Sequence, residues 1–390
     1  ACYFDFDEKK LLELAQAAKQ ADIDLFVLDD GWFKGRNDTS SSLGDWVADT
    51  RKLPDGLPGL CKKLNLLGLE MGLWVEPEAI SPNSDLYRAH PDWAFAIPGR
   101  TPLEIRQQYT LDFSRPEVVD GIWQQLDTIL ESCPLKYLKW DMNRSLAHVY
   151  NAKLPAKRQG EVYHRYVMGV YELQRRLTEK YPGLLLENCA GGGVRFDCGM
   201  LYYSPQIWCS DNTDARSRLV IQYGTSLFYP ATVMGSHVSA TPNHQTSNIT
   251  PIKFRFDMAC AGRLGMELQP KQMNAEEKAF ARKAIESYKG YRDIVMEGDL
   301  YRIGTPYDDT GYYGVMYVSK DKKKAVLFTY CTLYQSRTLV PKFRLYGLDA
   351  QTRYKIREQN VDKKRFWFDG GTFTGEYLNP AGLNPNLNKI

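Results

Sequence analysis

The sequence predicts an α/β fold in which a (β/α)8 TIM barrel is followed by a small antiparallel β-sandwich domain. Up to about residue 240, apolar runs that end in polar residues alternate with stretches of helical periodicity. Apolar runs without polar alternation favour parallel strands that are buried on both faces. In the last third, short β-prone runs are separated by charged or glycine-containing turns. We therefore assign the catalytic barrel to residues 1–292 and the β-sandwich to residues 293–390.

Eight apolar runs are predicted to be the barrel strands, and each leads into a polar residue. They cover residues 2–4, 25–28, 69–75, 109–111, 136–140, 184–186, 207–209 and 233–234. Barrels of this type carry their chemistry at the C-terminal ends of the strands, so we expect the polar residues to share one pocket. A doubly wound open sheet is the alternative, but no glycine-rich phosphate loop follows an early strand.

Helical periodicity predicts helices over residues 8–20 and 160–180, and a last barrel helix over residues 274–289. The β-prone runs beyond that helix cover residues 312–319, 324–330, 337–345 and 353–356. The turn Lys320-Asp321-Lys322 and the pair Gly370-Gly371 separate runs of this kind, which predicts antiparallel strands.

Composition excludes several classes of partner. The net charge of +3 is small for 390 residues, and the basic residues are interleaved with acids, so we expect no nucleic-acid partner. No apolar run is long enough to cross a membrane, and no signal peptide is evident. The eight cysteines show no metal-ligand spacing, which predicts reduced thiols in a cytoplasmic protein. Because the sequence begins Ala1-Cys2-Tyr3 without a methionine, we expect a piece of a longer chain.

Two strand-end aspartates, Asp141 and Asp211, are the candidates for acid–base chemistry. Cleavage of a glycosidic bond needs one carboxylic acid to protonate the leaving oxygen and a second carboxylate on the other side of the sugar. Lys139 lies two residues before Asp141 on the same strand face, and its ammonium favours the ionised carboxylate that a nucleophile needs. Asp211 follows an apolar strand and lies near Asp214, which favours a protonated carboxyl. The structural alternatives are a salt-bridged acid for Asp141 and a helix cap for Asp211.

Asp29 and Asp30 follow the second apolar run and precede Gly31-Trp32, a pattern that suits carboxylates accepting sugar hydroxyls beside an aromatic ring. A metal site is the alternative, since Glu76, Glu78 and His237 could join the two aspartates. No spacing here is diagnostic of a metal, so we favour the hydroxyl site and expect no metal ion.

A glycine-rich turn over residues 188–193 follows the sixth apolar run. Glycine lets the backbone approach a ligand closely, but the turn lacks the Lys-Ser/Thr ending of a phosphate-binding loop. The polar loop around His237 and His244 fits structural hydrogen bonding as well as ligand binding.

These motifs together resemble the α-galactosidases of glycoside hydrolase family 36, in clan D. The matching stretches, in the family's order, are Phe26-Val27-Leu28-Asp29-Asp30-Gly31-Trp32-Phe33, Gly44-Asp45-Trp46, Gly72-Leu73-Trp74-Val75-Glu76-Pro77-Glu78, Lys139-Trp140-Asp141-Met142-Asn143-Arg144, Glu187-Asn188-Cys189-Ala190-Gly191-Gly192-Gly193, Ser210-Asp211-Asn212-Thr213-Asp214-Ala215 and Gly235-Ser236-His237-Val238-Ser239. They cover nearly the whole predicted barrel, whereas the C-terminal third adds little.

The resemblance implies a retaining hydrolase that releases terminal α-linked galactose from melibiose and raffinose-type oligosaccharides by double displacement, without a metal or organic cofactor. By motif position, Asp141 corresponds to the nucleophile and Asp211 to the acid/base. The positions that match galactose-binding residues are Asp29, Asp30, Trp74, Arg106, Lys139, Asn143, Cys189 and Gly191. Asp214 matches a supporting or capping residue.

Members of this family usually carry a large β-domain before the barrel, together with a tryptophan that reaches the sugar. This sequence starts within the first predicted strand, so we expect both features to be absent from it. The resemblance also implies a homo-oligomer for the full-length protein.

Three alternatives to galactoside hydrolysis stay open at this point. An α-N-acetylgalactosaminidase would need room at the sugar 2-position beside Cys189 and Gly191. A galactosyl transferase of the raffinose-synthase type would use the same two acids with a sugar acceptor instead of water. A truncated chain could also be a non-catalytic sugar-binding fragment.

Overall fold

The computed structural model describes residues 2–333, 342–361 and 366–385. It divides into two compact units, Ala1–Trp208 and Cys209–Ile390. Within the described ranges, no helix is both long enough and apolar enough to span a membrane.

In the first unit, strands alternate with helices along the chain. The strands are β1 (Leu25–Leu28), β2 (Glu70–Val75), β3 (Ala79–Ile80), β4 (Tyr109–Thr110), β5 (Tyr137–Trp140), β6 (Leu185–Asn188) and β7 (Gln206–Trp208). The helices are α1 (Glu8–Gln20), α2 (Gly56–Leu66), α3 (Asp85–Ala89), α4 (Pro116–Ser132), α5 (Val162–Lys180) and α6 (Cys198–Tyr203), with short 3-10 helices at Pro91–Trp93 and Ala156–Glu161. Strands β1, β2, β5, β6 and β7 pair in that order as a parallel sheet.

Local chemistry explains where these elements begin. Asp7 caps α1, as its carboxylate accepts a 2.8 Å hydrogen bond from Lys10 N, and the helix has the predicted bounds. Strand β2 is buried on both faces, with Met71 and Leu73 on one and Trp74 on the other. Burial on both faces is typical of parallel strands covered by helices, and it explains the apolar run that the sequence shows.

The second unit begins with helices and a parallel strand pair and continues as antiparallel sheet. Its helices are α7 (Ala215–Ser226), α8 (Ile252–Ala259), α9 (Ala275–Glu297) and α10 (Gly375–Ala381), with 3-10 helices at Ala231–Val233 and Pro270–Gln272. Its strands are β8 (Met234–Val238), β9 (Arg263–Met266), β10 (Asp299–Ile303), β11 (Tyr312–Val318), β12 (Ala325–Cys331), β13 (Arg353–Lys355) and β14 (Thr372–Thr374). Strands β8 and β9 are parallel, whereas β10–β11–β12 and β13–β14 form two antiparallel sheets.

The two antiparallel sheets share a small apolar core with α10. Met316 and Val318 from β11, Tyr354 from β13 and Leu378 from α10 belong to one buried cluster. The antiparallel strands at β11, β12 and β13 were predicted from the sequence, and the structure confirms them. Helix α9 begins after Asn274 with a capping box, as predicted, and extends to Glu297, beyond the predicted end.

Some element predictions are wrong. Residues 2–4 form a turn rather than a strand, with Tyr3 at a φ of 49°. The run at 109–111 yields β4, which pairs antiparallel with β3 and takes no part in the parallel sheet. Strand β9 was missed, because Arg263 and Gly265 interrupt its apolar pattern. Most of the run predicted at 337–345 lies outside the described residues.

Candidate active site

The carboxyl ends of neighbouring parallel strands place several predicted site residues side by side in the first unit. Trp74 on β2 pairs in register with Lys139 on β5, and Lys139 pairs with Glu187 on β6. Side chains alternate along a strand, so Glu76 and Asp141, two residues further on, follow on the same face.

Asp141 lies directly after β5, and two donors hold its carboxylate. Trp74 Nε1 donates to Asp141 Oδ2 at 3.1 Å, and Met142 N donates to Oδ1 at 2.8 Å. The Asp141 amide donates to Val75 O at 2.8 Å, which fixes the backbone to β2. Only 6% of the residue is exposed. One donor on each oxygen holds the carboxylate in a single orientation.

Lys139 has Asp29 as its direct ion-pair partner. The distance from Lys139 Nζ to Asp29 Oδ2 is 2.9 Å. Desolvation opposes the charge of Lys139, but attraction by Asp29 and then by Asp141 raises the pKa of its ammonium well above the usual value. Desolvation would likewise raise the pKa of Asp29, yet Lys139 lowers it below the usual value. Lys139 was predicted to favour the ionised form of Asp141, but its direct ion-pair partner is Asp29.

Asp30 forms a two-fold ion pair with Arg36, which the sequence analysis did not single out. Arg36 Nε donates to Asp30 Oδ1 at 2.9 Å, and Nη2 donates to Oδ2 at 2.7 Å. Burial raises the pKa of Asp30 despite this pair. The sequence gives only a weak signal for Arg36, namely a basic residue shortly after an acid at a buried strand end.

Glu76 was considered only as a metal ligand, but the structure places it in the strand-end group. Its carboxylate accepts from Asn143 N at 2.6 Å, from Asn143 Nδ2 at 3.1 Å and from Gln108 Nε2 at 3.1 Å. Burial, and after it the Asp141 charge, raise the pKa of Glu76 to about 7. Only 2% of the residue is exposed, so these donors surround it inside the protein.

The hydrogen bonds of Glu78 argue against the alternative in which it is a metal ligand. This fully buried carboxylate accepts from Trp140 Nε1 at 2.7 Å and from Arg195 Nη1 at 2.8 Å, and it also accepts from the Tyr166 hydroxyl. His237 belongs to the second unit, where its Nδ1 lies 3.2 Å from Glu267 Oε2. Among the described residues, no three His, Cys, Asp or Glu side chains are grouped to hold a metal ion.

The glycine-rich turn continues directly from β6. Cys189 is buried, its amide donates to Trp140 O at 2.7 Å, and its Sγ accepts from Gly192 N at 3.4 Å. Gly191 has a φ of +56°, in the left-handed region that favours glycine. A Cβ added at Gly191 would meet no described heavy atom within 4 Å. Backbone is therefore open to a ligand at this turn.

Arg106 and Asn143 complete the predicted positions of the first unit. Arg106 is exposed, has a φ of 54°, and points its Nη1 to Asn143 O at 3.5 Å. Asn143 is half-buried between this contact and Glu76. Both residues therefore join the group around Asp141.

Asp211 belongs to the second unit, in the turn that precedes α7, and its side chain is exposed. The burial that its apolar neighbours predicted is not seen at Asp211 itself, which lies three residues beyond the end of β7. Asp214, rather than Asp211, caps α7: its carboxylate accepts from Ser217 N at 3.2 Å and from Asn248 Nδ2 at 2.9 Å.

Comparison with known proteins gives a consistent picture. The sequence model of the Melibiase family matches residues 1–298, and that of the glycosyl hydrolase family 36 C-terminal domain matches residues 312–389. Alpha-galactosidase AgaA of Geobacillus stearothermophilus is 46% identical over 361 residues, which are 93% of this chain and 49% of AgaA. Alpha-galactosidase Mel36A of Lactobacillus acidophilus is 46% identical over 358 residues, which are 92% of this chain and 49% of Mel36A.

Solved structures agree with the sequence matches. The crystal structure of AgaA superposes with a TM-score of 0.95 at 44% identity, covering 100% of this chain and 53% of that chain. Aspartate-substituted variants of AgaA, solved with raffinose and with stachyose, superpose equally well. The likeness confirms the predicted fold class, a TIM-barrel-like parallel α/β fold with small antiparallel sheets. The chain spans about half the length of the curated relatives that it matches.

Proposed function

This chain belongs to the Melibiase family, glycosyl hydrolase family 36, and we propose that it is a retaining α-galactosidase. The proposed substrates carry a terminal α-linked galactose, as melibiose and raffinose-type oligosaccharides do. The observation that carries the proposal is the Asp141 carboxylate, held by Trp74 Nε1 and Met142 N beside the Lys139–Asp29 pair. The α-galactosidase names of the relatives, and the raffinose and stachyose complexes of AgaA variants, support the substrate class.

In the proposed reaction, Asp141 attacks the anomeric carbon while protonated Asp211 gives its proton to the leaving glycosidic oxygen. The carbon–oxygen bond to the leaving group breaks, and a galactosyl ester forms on Asp141. Asp211 then takes a proton from water, whose oxygen attacks the anomeric carbon and releases Asp141. Two displacements at one carbon return galactose with its α-configuration.

The sequence separation of the two aspartates supports their assignment as the catalytic pair. The AgaA variants solved with raffinose and with stachyose each carry one substituted aspartate, and these two positions are as far apart in sequence as Asp141 and Asp211 are here. Replacing a catalytic carboxylate is a usual way to keep an uncleaved substrate in a crystal.

We propose that the remaining strand-end residues bind galactose. Asp29 and Asp30 offer carboxylate oxygens to outer hydroxyls, and Lys139 donates from its ammonium. The other proposed contacts come from Trp74, Arg106, Asn143, Cys189 and Gly191. Both catalytic groups in this reaction are carboxylates, so its steps use only groups of the chain, substrate and water.

Three wider features are part of the same proposal. Residues 1–292 would form the catalytic domain and residues 293–390 the C-terminal domain, in keeping with the ends of the two family matches. Buried thiols at Cys61, Cys133 and Cys260 suit a cytoplasmic location. The full-length protein would be a homo-oligomer, as the resemblance to the family implies.

Turnover of nitrophenyl α-galactoside tests the proposal. Asp141→Ala should abolish turnover while galactose still binds, and ordinary activity in that variant would overturn the assignment. Azide added to Asp211→Ala should release galactosyl azide of the α-configuration, since azide attacks the ester on Asp141 without needing a base. A β-azide would exchange the roles of the two aspartates.

One observation favours an N-acetylgalactosaminide as a second candidate substrate. The space beside Gly191 is open among the described residues, and this position is expected to lie near the sugar 2-position. Comparing turnover of nitrophenyl α-galactoside with that of its 2-acetamido analogue separates the two substrates. Product analysis with sucrose as acceptor tests transfer against hydrolysis.

A further inference from the structure

Glu76 and Asn143 join two neighbouring strand ends in the candidate site. Glu76 follows β2, Asn143 lies two residues after Asp141, and both Asn143 nitrogens donate to the Glu76 carboxylate, the backbone N at 2.6 Å and Nδ2 at 3.1 Å. Glu76 is buried, with 2% of its surface exposed, so neither bond competes with bulk water. Glu76 takes no part in the two displacement steps of the proposed reaction.

We propose that Glu76 is a positioning residue that orients the Asn143 amide, so that Asn143 Oδ1 faces the sugar as a hydrogen-bond acceptor. An ionised carboxylate only accepts hydrogen bonds, so the amide must turn its NH2 group toward Glu76. Its oxygen is then left on the opposite side. In the part of the chain that the structure describes, no donor reaches Asn143 Oδ1. The inference rests on the proposed function in one respect, that the ligand is a galactoside.

The neighbours of Glu76 keep the amide from turning over. Gln108 Nε2 donates to the same Glu76 oxygen as Asn143 N, at 3.1 Å, which leaves the other oxygen for Asn143 Nδ2. Arg106 Nη1 also lies 3.5 Å from the backbone oxygen of Asn143. The Asn143 side chain therefore has one favoured orientation for as long as Glu76 is ionised.

The state of Glu76 depends on pH, which gives the inference a second readout. The charged groups that act on Glu76 are Asp141, Arg106 and Arg144. Burial and the Asp141 charge raise the pKa of Glu76 to about 7. A protonated Glu76 can donate to Asn143 Oδ1, so the amide would rotate and offer NH2 to the sugar below that pH.

Glu76→Gln tests the orientation, because it keeps the size of the side chain and exchanges one acceptor oxygen for an NH2 donor. The new donor should draw Asn143 Oδ1 toward it and turn Asn143 Nδ2 to the sugar. We expect KM for nitrophenyl α-galactoside to rise about 10- to 100-fold, the range for one hydrogen bond in a charged setting, with kcat changed less. The wild-type KM should rise toward that of the variant as the pH falls from 8 to 6.

A second substitution separates orientation from loss of packing. In the Glu76→Gln background, Asn143→Asp supplies two acceptor oxygens, one for the new amide and one for the sugar, so KM should recover by about tenfold. In the wild-type background the same substitution places two carboxylates together and should weaken binding. Glu78→Gln is the matched control, since Glu78 is also buried and Asn143 is not among its partners. Adding Asn143→Asp to Glu78→Gln should not lower KM.

The outcomes are distinct. An active wild type whose Glu76→Gln variant keeps its KM, or is not improved by Asn143→Asp, would overturn the inference and leave the proposed function standing. An inactive wild type would overturn the proposed function. The orientation of Asn143 would then be tested by the NMR signal of its side-chain amide, which is assigned from its loss in Asn143→Asp. If Glu76 orients the amide, the signal should be shifted and its protons should exchange slowly with solvent in the wild type. In Glu76→Gln, both the shift and the slow exchange should disappear. Unchanged signals would refute the inference.

Discussion

Trp74 Nε1 donates a 3.1 Å hydrogen bond to Asp141 Oδ2, so a tryptophan on one parallel strand orients the carboxylate at the end of the next. Trp74 is in turn fixed through its carbonyl, which accepts a 2.9 Å bond from Trp32 Nε1. The proposed nucleophile is therefore held by a chain of indole contacts that begins after β1.

Trp74→Phe should lower kcat about 10- to 100-fold, because it keeps an aromatic ring and removes the donor to Asp141. Turnover of nitrophenyl α-galactoside measures the effect. Trp46→Phe is the matched control: its ring packs 6.2 Å from that of Trp74, and its Nε1 has no hydrogen-bond partner among the described residues. Equal losses in both variants would show that ring packing, and not the hydrogen bond, supports turnover.

Lys139→Met should weaken galactose binding more at pH 4.5 than at pH 7. In the wild type, Lys139 lowers the pKa of Asp29 against the effect of desolvation, so Asp29 stays ionised as the pH falls. Without the ammonium, desolvation raises that pKa, and Asp29 takes up a proton at a higher pH. Calorimetry with galactose at the two pH values measures the difference. Lys10→Met, which breaks the exposed Lys10–Asp5 pair, should leave binding unchanged at both.

Asp112→Asn should change how the free energy of unfolding depends on pH. Burial raises the pKa of Asp112 to about 6 despite its hydrogen bonds from Ser114. A raised pKa contributes stability that is complete below the unfolded-state value of 3.8 and is lost as the pH rises through about 6. The wild type should therefore lose about 2 kcal/mol relative to the variant between pH 4 and pH 7.

Urea denaturation at the two pH values measures this loss. Asp92→Asn is the control, because the Asp92 side chain is 67% exposed and its ion pair with Arg115 is worth less than about 1 kcal/mol. The expectation would be contradicted if the wild type and Asp112→Asn differed in free energy of unfolding by the same amount at pH 4 and at pH 7.

Arg195→Met should destabilise the fold by about 3–5 kcal/mol, since it leaves the Glu78 charge buried without its counter-ion. The loss is measured as the free energy of unfolding in urea. Arg175→Met removes partly exposed pairs with Glu172 and Glu179 and should cost about 1 kcal/mol or less. A small effect at Arg195 would show that the Trp140 and Tyr166 donors suffice for Glu78.

Local pattern was enough to predict elements whose ends are set by neighbours in sequence. Helix α1 has its predicted bounds because Asp7 caps it, and α9 begins where Asn274 and Glu277 form a capping box. Strand β5 and the aspartate after it were predicted because a buried parallel strand reads as an apolar run.

Pairing between distant segments could not be predicted in the same way. Asp112 and Asp141 both follow apolar runs, yet the run before Asp112 pairs antiparallel with β3, which lies about thirty residues earlier. Arg36 and Arg195 are similar cases, since a cation that neutralises a buried acid leaves no periodic mark on the sequence. Glu76 was not predicted as a sugar-site residue, because its contact with Asn143 joins the ends of two different strands.

The indole rings of Trp32, Trp46 and Trp74 lie close together, with the centroid of Trp46 6.2 Å from each of the other two. Excitation energy can pass between indole rings at this spacing, so a change at one ring should affect the emission of its neighbours. The indole nitrogen of Trp74 donates a hydrogen bond to the carboxylate of Asp141. We therefore expect a sugar bound beside Asp141 to alter the tryptophan emission of the chain, which would report binding without any label.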